Sequence, residues 1–433
     1  MKLISKMTHG LRGEIDIPGD KSISHRSIML SSLGNTPVEV TNFLKGADCL
    51  STIACMRAMG VDIEEHETRI LVIGRGLHGL KEPNDVLDAG NSGTTLRLLL
   101  GLLSPQKFVT TFTGDNSLRQ RPMGRVITPL SMMGANIVGR NQNKNLPITI
   151  IGTRVKEQGS RLKGITYKMP VASAQVKSAI ILAGLYADGM TTIVEPYPSR
   201  DHTEKMLAAF GVRIDKSSNE IRVTPASEVT APKSIEVPGD ISSAAYWIVL
   251  ASILEGSNVT IKNVGINETR TGIIDVMRNM GAKIEYINER ISGGERSADI
   301  HVVSSQLHGT TFGGEMIPRL IDEIPIIAVA AAFAEGDTVI NDVGELRVKE
   351  TDRLNAIVDE YNKIAAGAFE TTEDSLIIHG SHKFNYAKSK TYDDHRMAMS
   401  LAVFGAAAEG VEIDNPDCVN ISYPTFYDVI ADK

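Results

Sequence analysis

A basic surplus is what this sequence most plainly lacks: 45 lysines and arginines stand against 52 acidic residues, for a net charge of −7. A nucleic-acid partner asks for a basic face, so that class is set aside, and any cationic site has to be local. Cysteine is scarce too. Cys49, Cys55 and Cys418 form neither a CxxC pair nor a disulfide framework, which fits a reducing compartment. No apolar run reaches the roughly 20 residues a membrane span needs. The longest, Ala244 to Leu254, falls well short, and the N-terminal MKLISKMTHGLRG has no apolar signal core. Biased tracts and blocks of like charge are also missing. These absences lead to the expectation of a cytoplasmic globular protein, and 433 residues with 42% hydrophobic content suffice for two or more domains.

What is there is repetition. IPGDKSISHRS at Ile17 to Ser27 returns, without its lysine, histidine and arginine, as VPGDISSAAYW at Val237 to Trp247. A helix pattern ending in Gly before a short strand recurs as MRAMGVDI, SMMGANI, LAAFGVRI and MRNMGAKI. Glycine after the last helical turn takes the left-handed cap, and the β-branched residues beyond it start a strand. Six more apolar helices are predicted: SISHRSIMLSSL, NSGTTLRLLLGLL, SAQVKSAIILAGL, ISSAAYWIVLASIL, DEIPIIAVAAAFA and DDHRMAMSLAVFGAAA. Being apolar nearly all round, they must be buried on most faces. Each is followed by a strand and a second, more amphipathic helix, so six α/β units are expected. The fifth second helix reads KETDRLNAIVDEYNKI, and the sixth, YPTFYDVIADK, runs to the C-terminus without its final strands. Residues 1–20, which have no helix of their own, are expected to supply them. The two PGD tripeptides then read as hinge crossings, giving an inserted domain over 21–237 and a discontinuous one of 1–20 plus 238–433.

The polar residues that packing does not explain gather at helix starts. Lys21, Ser22 and Arg26 open the first core helix, Asn91 to Thr94 the second, and Ser173, Ala174 and Gln175 the third. Asp322 and Glu323 open the fifth, and Asp394, His395 and Arg396 the sixth. Second helices are read as starting at Arg119, Arg121, Arg200, Arg270 and the run RVKETDR, Arg347 to Arg353. Helix N-termini bind anions, and cations are unfavourable there unless an anion arrives. Several such starts in one chain therefore point to phosphate or carboxylate ligands, held by forked arginine donors. The Gly-Asp-Lys-Ser stretch lacks the GxxxxGK[ST] of a nucleotide loop. No HxH or HExxH pattern suggests a metal, so His25, His202 and His395 read as hydrogen-bonding residues. Asp322 and Glu350 beside Lys21 and Lys349 make an acid/base set.

PGDKSISHRS, GNSGTT, RPMGRV, ASAQVKSA, SRDHTEKM, PGDISSAA, PRLIDEIP, RVKETDR and DDHRMAM, in this order, resemble the 5-enolpyruvylshikimate-3-phosphate synthase family across essentially the whole chain. The resemblance is to the second-class bacterial type. It implies two inside-out α/β domains, each of three βαβαββ repeats, joined by a double hinge and closing around the substrates. It implies transfer of the enolpyruvyl group of phosphoenolpyruvate to the 5-hydroxyl of shikimate 3-phosphate, with loss of phosphate, by a cytoplasmic monomer of the shikimate pathway needing no cofactor or metal. Carried over by motif, Lys21, Ser22, Arg26, Ser173, Ala174, Gln175, Arg200, Asp322 and Lys349 would bind shikimate 3-phosphate. Lys21, Gly93, Arg121, Gln175, Arg353 and Arg396 would bind phosphoenolpyruvate. Asp322 would be the base at the hydroxyl, with Glu350 and Lys21 sharing the proton transfers at carbon.

The chain also departs from the family pattern. Ile421 stands where some members carry Lys, and Glu345 where some carry Asn. Gly93 keeps the space that glyphosate uses in sensitive members. Two rivals are a UDP-N-acetylglucosamine enolpyruvyl transferase and a repeat scaffold without activity. The first usually has Lys-Asn at the place of Lys21-Ser22 and a reactive Cys at the place of Asn116. The second would be expected to lose some of Lys21, Asp322, Glu350 and Arg396, and all four are present.

Overall fold

Six helices form where the sequence is apolar all round: Lys21–Ser32, Gly93–Leu103, Ala174–Gly184, Ile241–Ile253, Ile324–Ala332 and His395–Ala407. They are seen in a computed structural model that describes residues 1–152, 162–380 and 383–432. Five start on a side-chain cap, from Asp20, Ser92, Ser173, Asp240 and Asp394, each accepting from a backbone N–H of the first turn. The fifth helix instead has Pro325 in its first turn, where the missing N–H costs nothing. Every residue of Ile324–Ala332 is buried, as is all of Ile241–Ile253 except its last.

Among the described residues, six small sheets lie around these helices, five four-stranded and one three-stranded. In Ser234–Glu236, Pro37–Thr41, Arg69–Ile73 and Asp62–Glu65, the first pair is parallel and the others antiparallel, and the same order recurs in the other four-stranded sheets. Strands such as Pro37–Thr41 and Asp337–Asn341 alternate buried with exposed or half-buried residues, so one face covers helices and the other meets solvent. That is the inside-out arrangement, with helices within and sheets without. The glycines expected to cap the second helices do so: Gly60, Gly134, Gly211 and Gly281 have φ of 83°, 96°, 78° and 99°.

The chain divides into two compact units. One comprises Gly19–Val237 with Ile291–Glu295, the other Met1–Pro18, Pro238–Arg290 and Arg296–Lys433. The inserted unit thus starts at Gly19 rather than Lys21, and it takes in the turn of the hairpin Lys283–Ser292/Glu295–Val303, which the sequence reading left with the other domain. The PGD repetition now has a topological reason. The strand before the first PGD, Arg12–Ile15, pairs with Asn258–Gly265, and the strand before the second, Ser234–Glu236, pairs with Pro37–Thr41. At each tripeptide the chain leaves a finished sheet and starts a helix in the other unit.

Three expectations need correction. Residues 1–20 do not complete the sixth sheet: only Lys2–Ile4 joins it, beside Val411–Ile413, while Arg12–Ile15 belongs to the fourth. The helix read over KETDRLNAIVDEYNKI begins only at Arg353, because Asp352 caps it by accepting from Asn355 N–H, and it ends at Tyr361. The residues before it form a 3-10 turn, Gly344–Val348, and a short loop. Arg119 and Arg121 do not open a second helix either. Arg119 lies in the short helix Asn116–Gln120 and Arg121 follows it in extended conformation, since Pro122 disfavours a helical residue before it; the next helix starts at Gly124. The C-terminal helix spans Phe426–Asp432 after a 3-10 turn Pro416–Ile421 that ends on Ile421; Lys433 lies outside the described residues.

Candidate active site

In the inserted unit, the helices Lys21–Ser32, Ala47–Ala58 and Gly93–Leu103 are tied together by buried hydroxyls. His25 Nδ1 is 2.7 Å from Thr52 Oγ1, Thr52 Oγ1 is 2.7 Å from Thr95 Oγ1, and Thr95 donates to Ser92 Oγ at 2.7 Å. Burial pushes the His25 imidazole down to about 3, so it is neutral and serves this chain of hydrogen bonds. Gly101 brings the second and third core helices together: a Cβ there would lie 2.1 Å from the Ala179 carbonyl oxygen. The outcome is a Gln175 side chain that donates to Thr94 Oγ1 at 2.9 Å and accepts from Arg97 Nη1.

Around this frame stand the cations. Lys21 Nζ pairs with Asp48 Oδ2 at 2.6 Å. Arg26 is buried and donates to Thr203 Oγ1 at 2.7 Å, Ser178 Oγ at 2.8 Å and the Ser22 carbonyl at 2.9 Å. Burial lowers its pKa to about 10, with Glu204 and Asp20 opposing that shift. Arg121 donates to Asn91 Oδ1 at 2.7 Å, and Asn91 donates in turn to Asp115 at 2.6 Å. Arg97 is held down to about 10, by burial and then by neighbouring Arg121 and Arg125. Arg97 and Arg121, both beside Gly93 at the start of Gly93–Leu103, repel each other and the helix dipole, an arrangement an anion relieves. Ser173 caps the third core helix, Ala174 is its first residue, and Arg200 sits two residues before the helix His202–Ala209.

The discontinuous unit holds a second cluster. Asp322 lies in a 3-10 turn, Ile321–Glu323, just ahead of the fifth core helix, with its side chain 14% exposed. Lys349 Nζ and Arg353 Nη1 each stand 3.5 Å from its Oδ1, and Arg396 Nη2 3.8 Å from its Oδ2. Arg353 has no exposed side-chain surface; its Nε meets Asp394 Oδ2 at 2.7 Å and its Nη2 meets Glu350 Oε2 at 2.8 Å. The Glu350 side chain keeps 36% of its surface exposed, and the desolvation it does suffer disfavours its charge, but Arg353, His395 and Lys349 outweigh that and hold the carboxyl well below its ordinary range. Burial likewise works against Arg396, and Asp322, Tyr246 and Glu323 reverse the effect, so its guanidinium stays charged.

The structure therefore brings the named residues into two sets: Lys21, Ser22, Arg26, Gly93, Arg121, Ser173, Ala174, Gln175 and Arg200 in one unit, and Asp322, Lys349, Glu350, Arg353 and Arg396 in the other. The sequence reading missed Asp48, Arg97 and the pairing of Arg353 with Asp394. Arg97 carried one usable signal: it is a lone cation in an apolar helix, four residues after Gly93 and so on the same face. Ile421 is half-buried at the end of its 3-10 turn.

Solved structures with this architecture define the class of protein. The enolpyruvyl transferase NikO from Streptomyces tendae matches with a TM-score of 0.78 at 17% identity, covering 99% of this chain and 96% of its own, which shows the fold. EPSP synthase from Acinetobacter baumannii matches with a TM-score of 0.89 at 42% identity, covering 99% and 97%. The profile of EPSP synthase (3-phosphoshikimate 1-carboxyvinyltransferase) matches residues 6–430, and the chain belongs to that family. Among curated relatives, the 3-phosphoshikimate 1-carboxyvinyltransferases of Thermoanaerobacter sp. (strain X514) and Bacillus cereus (strain G9842) are 54% and 49% identical to it. The first alignment covers 99% of both chains, the second 99% of this chain and 98% of the relative.

Proposed function

We propose that this protein transfers the enolpyruvyl group of phosphoenolpyruvate to the 5-hydroxyl of shikimate 3-phosphate and releases inorganic phosphate. The observation that carries the reading is the Asp322 carboxylate with Lys349, Arg353 and Arg396 within 4 Å, in a chain of this family. Asp322 takes the proton of the 5-hydroxyl as its oxygen bonds to the central carbon of phosphoenolpyruvate, while the methylene carbon gains a proton supplied by Lys21 and Glu350, which share the transfers at carbon. The tetrahedral phospho-ketal then returns a methyl proton to Lys21 and Glu350 as phosphate leaves, restoring the double bond. Arginines fixed before the reaction stabilise charge on carboxylate and phosphate through both steps. Lys21, Ser22, Arg26, Ser173, Ala174, Gln175, Arg200, Asp322 and Lys349 serve shikimate 3-phosphate; Gly93, Arg121, Arg353 and Arg396, again with Lys21 and Gln175, serve phosphoenolpyruvate. The protein is read as a cytoplasmic monomer without a nucleic-acid or membrane partner; its net charge of −7 supports the absence of a nucleic-acid partner. Among the described residues no helix is long and apolar enough to cross a membrane.

The direct test is the fate of the acceptor. After incubation with phosphoenolpyruvate, NMR should show an enolpyruvyl ether at the 5-position of shikimate 3-phosphate; recovery of unchanged acceptor would sink the proposal.

Two further results are expected. Because Glu350 is held below the ordinary carboxylate range, it is ionised in the free enzyme throughout the neutral and mildly acidic range. Whatever stability that lowered pKa contributes is present above the unfolded-state value and lost only as pH falls through the folded one. Glu350→Gln should therefore lower kcat/KM by one constant factor from about pH 5 to pH 9, since that quantity reports free-enzyme ionisations. A shift in the acidic limb would assign that limb to Glu350 and contradict the account. The second concerns Gly93, where an added Cβ would meet Arg97 Nη1 at 3.0 Å and Arg121 Nη1 at 3.5 Å. Both atoms end flexible side chains, so Gly93→Ala should fold normally while the KM for phosphoenolpyruvate rises by about an order of magnitude. An unchanged KM would place that substrate away from this helix start.

A further inference from the structure

Arg200 sits in a segment held by a buried ionic cluster to which the reaction above gives no role. Lys177, on the helix Ala174–Gly184, has no exposed side-chain surface. Its Nζ lies 2.9 Å from Glu195 Oε2 and 2.8 Å from Glu204 Oε1, and it donates to the Ser199 carbonyl oxygen at 3.1 Å. Glu195 in turn accepts from the Ser199 hydroxyl and, at 3.4 Å, from the Ser199 N–H. Every polar group of the residue before Arg200 is thus held by Lys177 or Glu195. The residues after Arg200 are fixed as well. Lys216 reaches Asp201 at 3.1 Å, His202 Nδ1 is 2.8 Å from Glu295 on the hairpin turn, and the Thr203 hydroxyl accepts from Arg26. Ser199 and residues 201–204 are all buried, and Arg200 between them is partly exposed.

Stability alone is a poor reason for such a cluster. Taking an ion out of water is costly, and apolar residues of similar volume are often as stable or more so. What the cluster does supply is fixed geometry on the N-terminal side of a single arginine. We propose that Lys177, acting through Glu195 and Ser199, positions Arg200 so that its guanidinium meets the phosphate of shikimate 3-phosphate already oriented. Lys177 is a positioning residue and does not touch substrate. Preorganisation of this kind lowers the ordering cost of binding, so its loss appears in the KM of one substrate. The proposal rests on the reading of Arg200 as a ligand of that phosphate.

The test is a cycle of Glu195→Gln, Ser199→Ala and Arg200→Ala, alone and in pairs with Arg200→Ala, reading kcat, both KM values and thermal stability. Arg200→Ala should raise the KM for shikimate 3-phosphate by about tenfold or more. Glu195→Gln and Ser199→Ala should raise the same KM by about three- to tenfold, with the KM for phosphoenolpyruvate within about twofold. Neither should worsen it once Arg200 is gone, as expected of residues acting through one group. If Glu195→Gln does not fold, Ser199→Ala, which keeps both ion pairs, carries the test. An Arg200→Ala variant with unchanged KM removes the reading beneath the proposal. A large Arg200 effect combined with multiplicative losses in the double variants overturns the positioning role alone, as does a parallel rise of both KM values with falling stability.

Discussion

Asp322→Ala lowers kcat by about two to four orders of magnitude, the range a positioned general base contributes. The loss is expected mainly in kcat, because the change removes a carboxylate that Lys349, Arg353 and Arg396 all face within 4 Å and leaves those cations for the anionic substrates. The KM for phosphoenolpyruvate should hold or fall. Asp322→Asn keeps the shape and hydrogen-bonding reach but not the basicity, so it should be nearly as slow. An Asn variant retaining most of the wild-type rate would show that the residue holds the loop and that the base is elsewhere.

Arg353→Met should be among the most destabilising single changes in the chain. Arg353 and Asp394 are both fully buried and joined at 2.7 Å, so removing the guanidinium leaves the buried Asp394 without its cationic partner, a loss of about 3–5 kcal/mol. Asp394 also caps the sixth core helix by accepting from the N–H groups of Arg396 and Met397, so the damage reaches the placement of Arg396. Chemical denaturation should show a clear fall in midpoint. Adding Asp394→Asn, which keeps a capping side chain but removes the carboxyl left without its partner, should recover a large part of the loss. If the double variant shows the simple sum of two losses, the two residues are not coupled and the description of this pair is wrong.

What could be read from the chain and what could not follows from the range of the interactions involved. Helices such as Ile324–Ala332 and Ile241–Ile253 announce themselves by being apolar on every side, and Gly60, Gly134, Gly211 and Gly281 mark helix ends by local conformation alone. Lys2–Ile4 and Arg12–Ile15 do not: strands of three or four residues have no alternation to read, and their partners lie hundreds of residues away. The start at Arg353 rather than Lys349 was a contest between a continuing helix and the Asp352 cap, which the cap won. The anion chemistry was legible because cations at helix starts oppose the dipole. The partners Asp48, Asp394 and Glu195 were not, since nothing local to a carboxylate says which cation it will meet.

The most direct test of the central claim is inorganic phosphate release from phosphoenolpyruvate, measured with shikimate 3-phosphate and, separately, with UDP-N-acetylglucosamine as acceptor. Release with shikimate 3-phosphate alone, lost in Asp322→Ala, is the result predicted here. Release with the sugar nucleotide alone, or with neither acceptor, would contradict it.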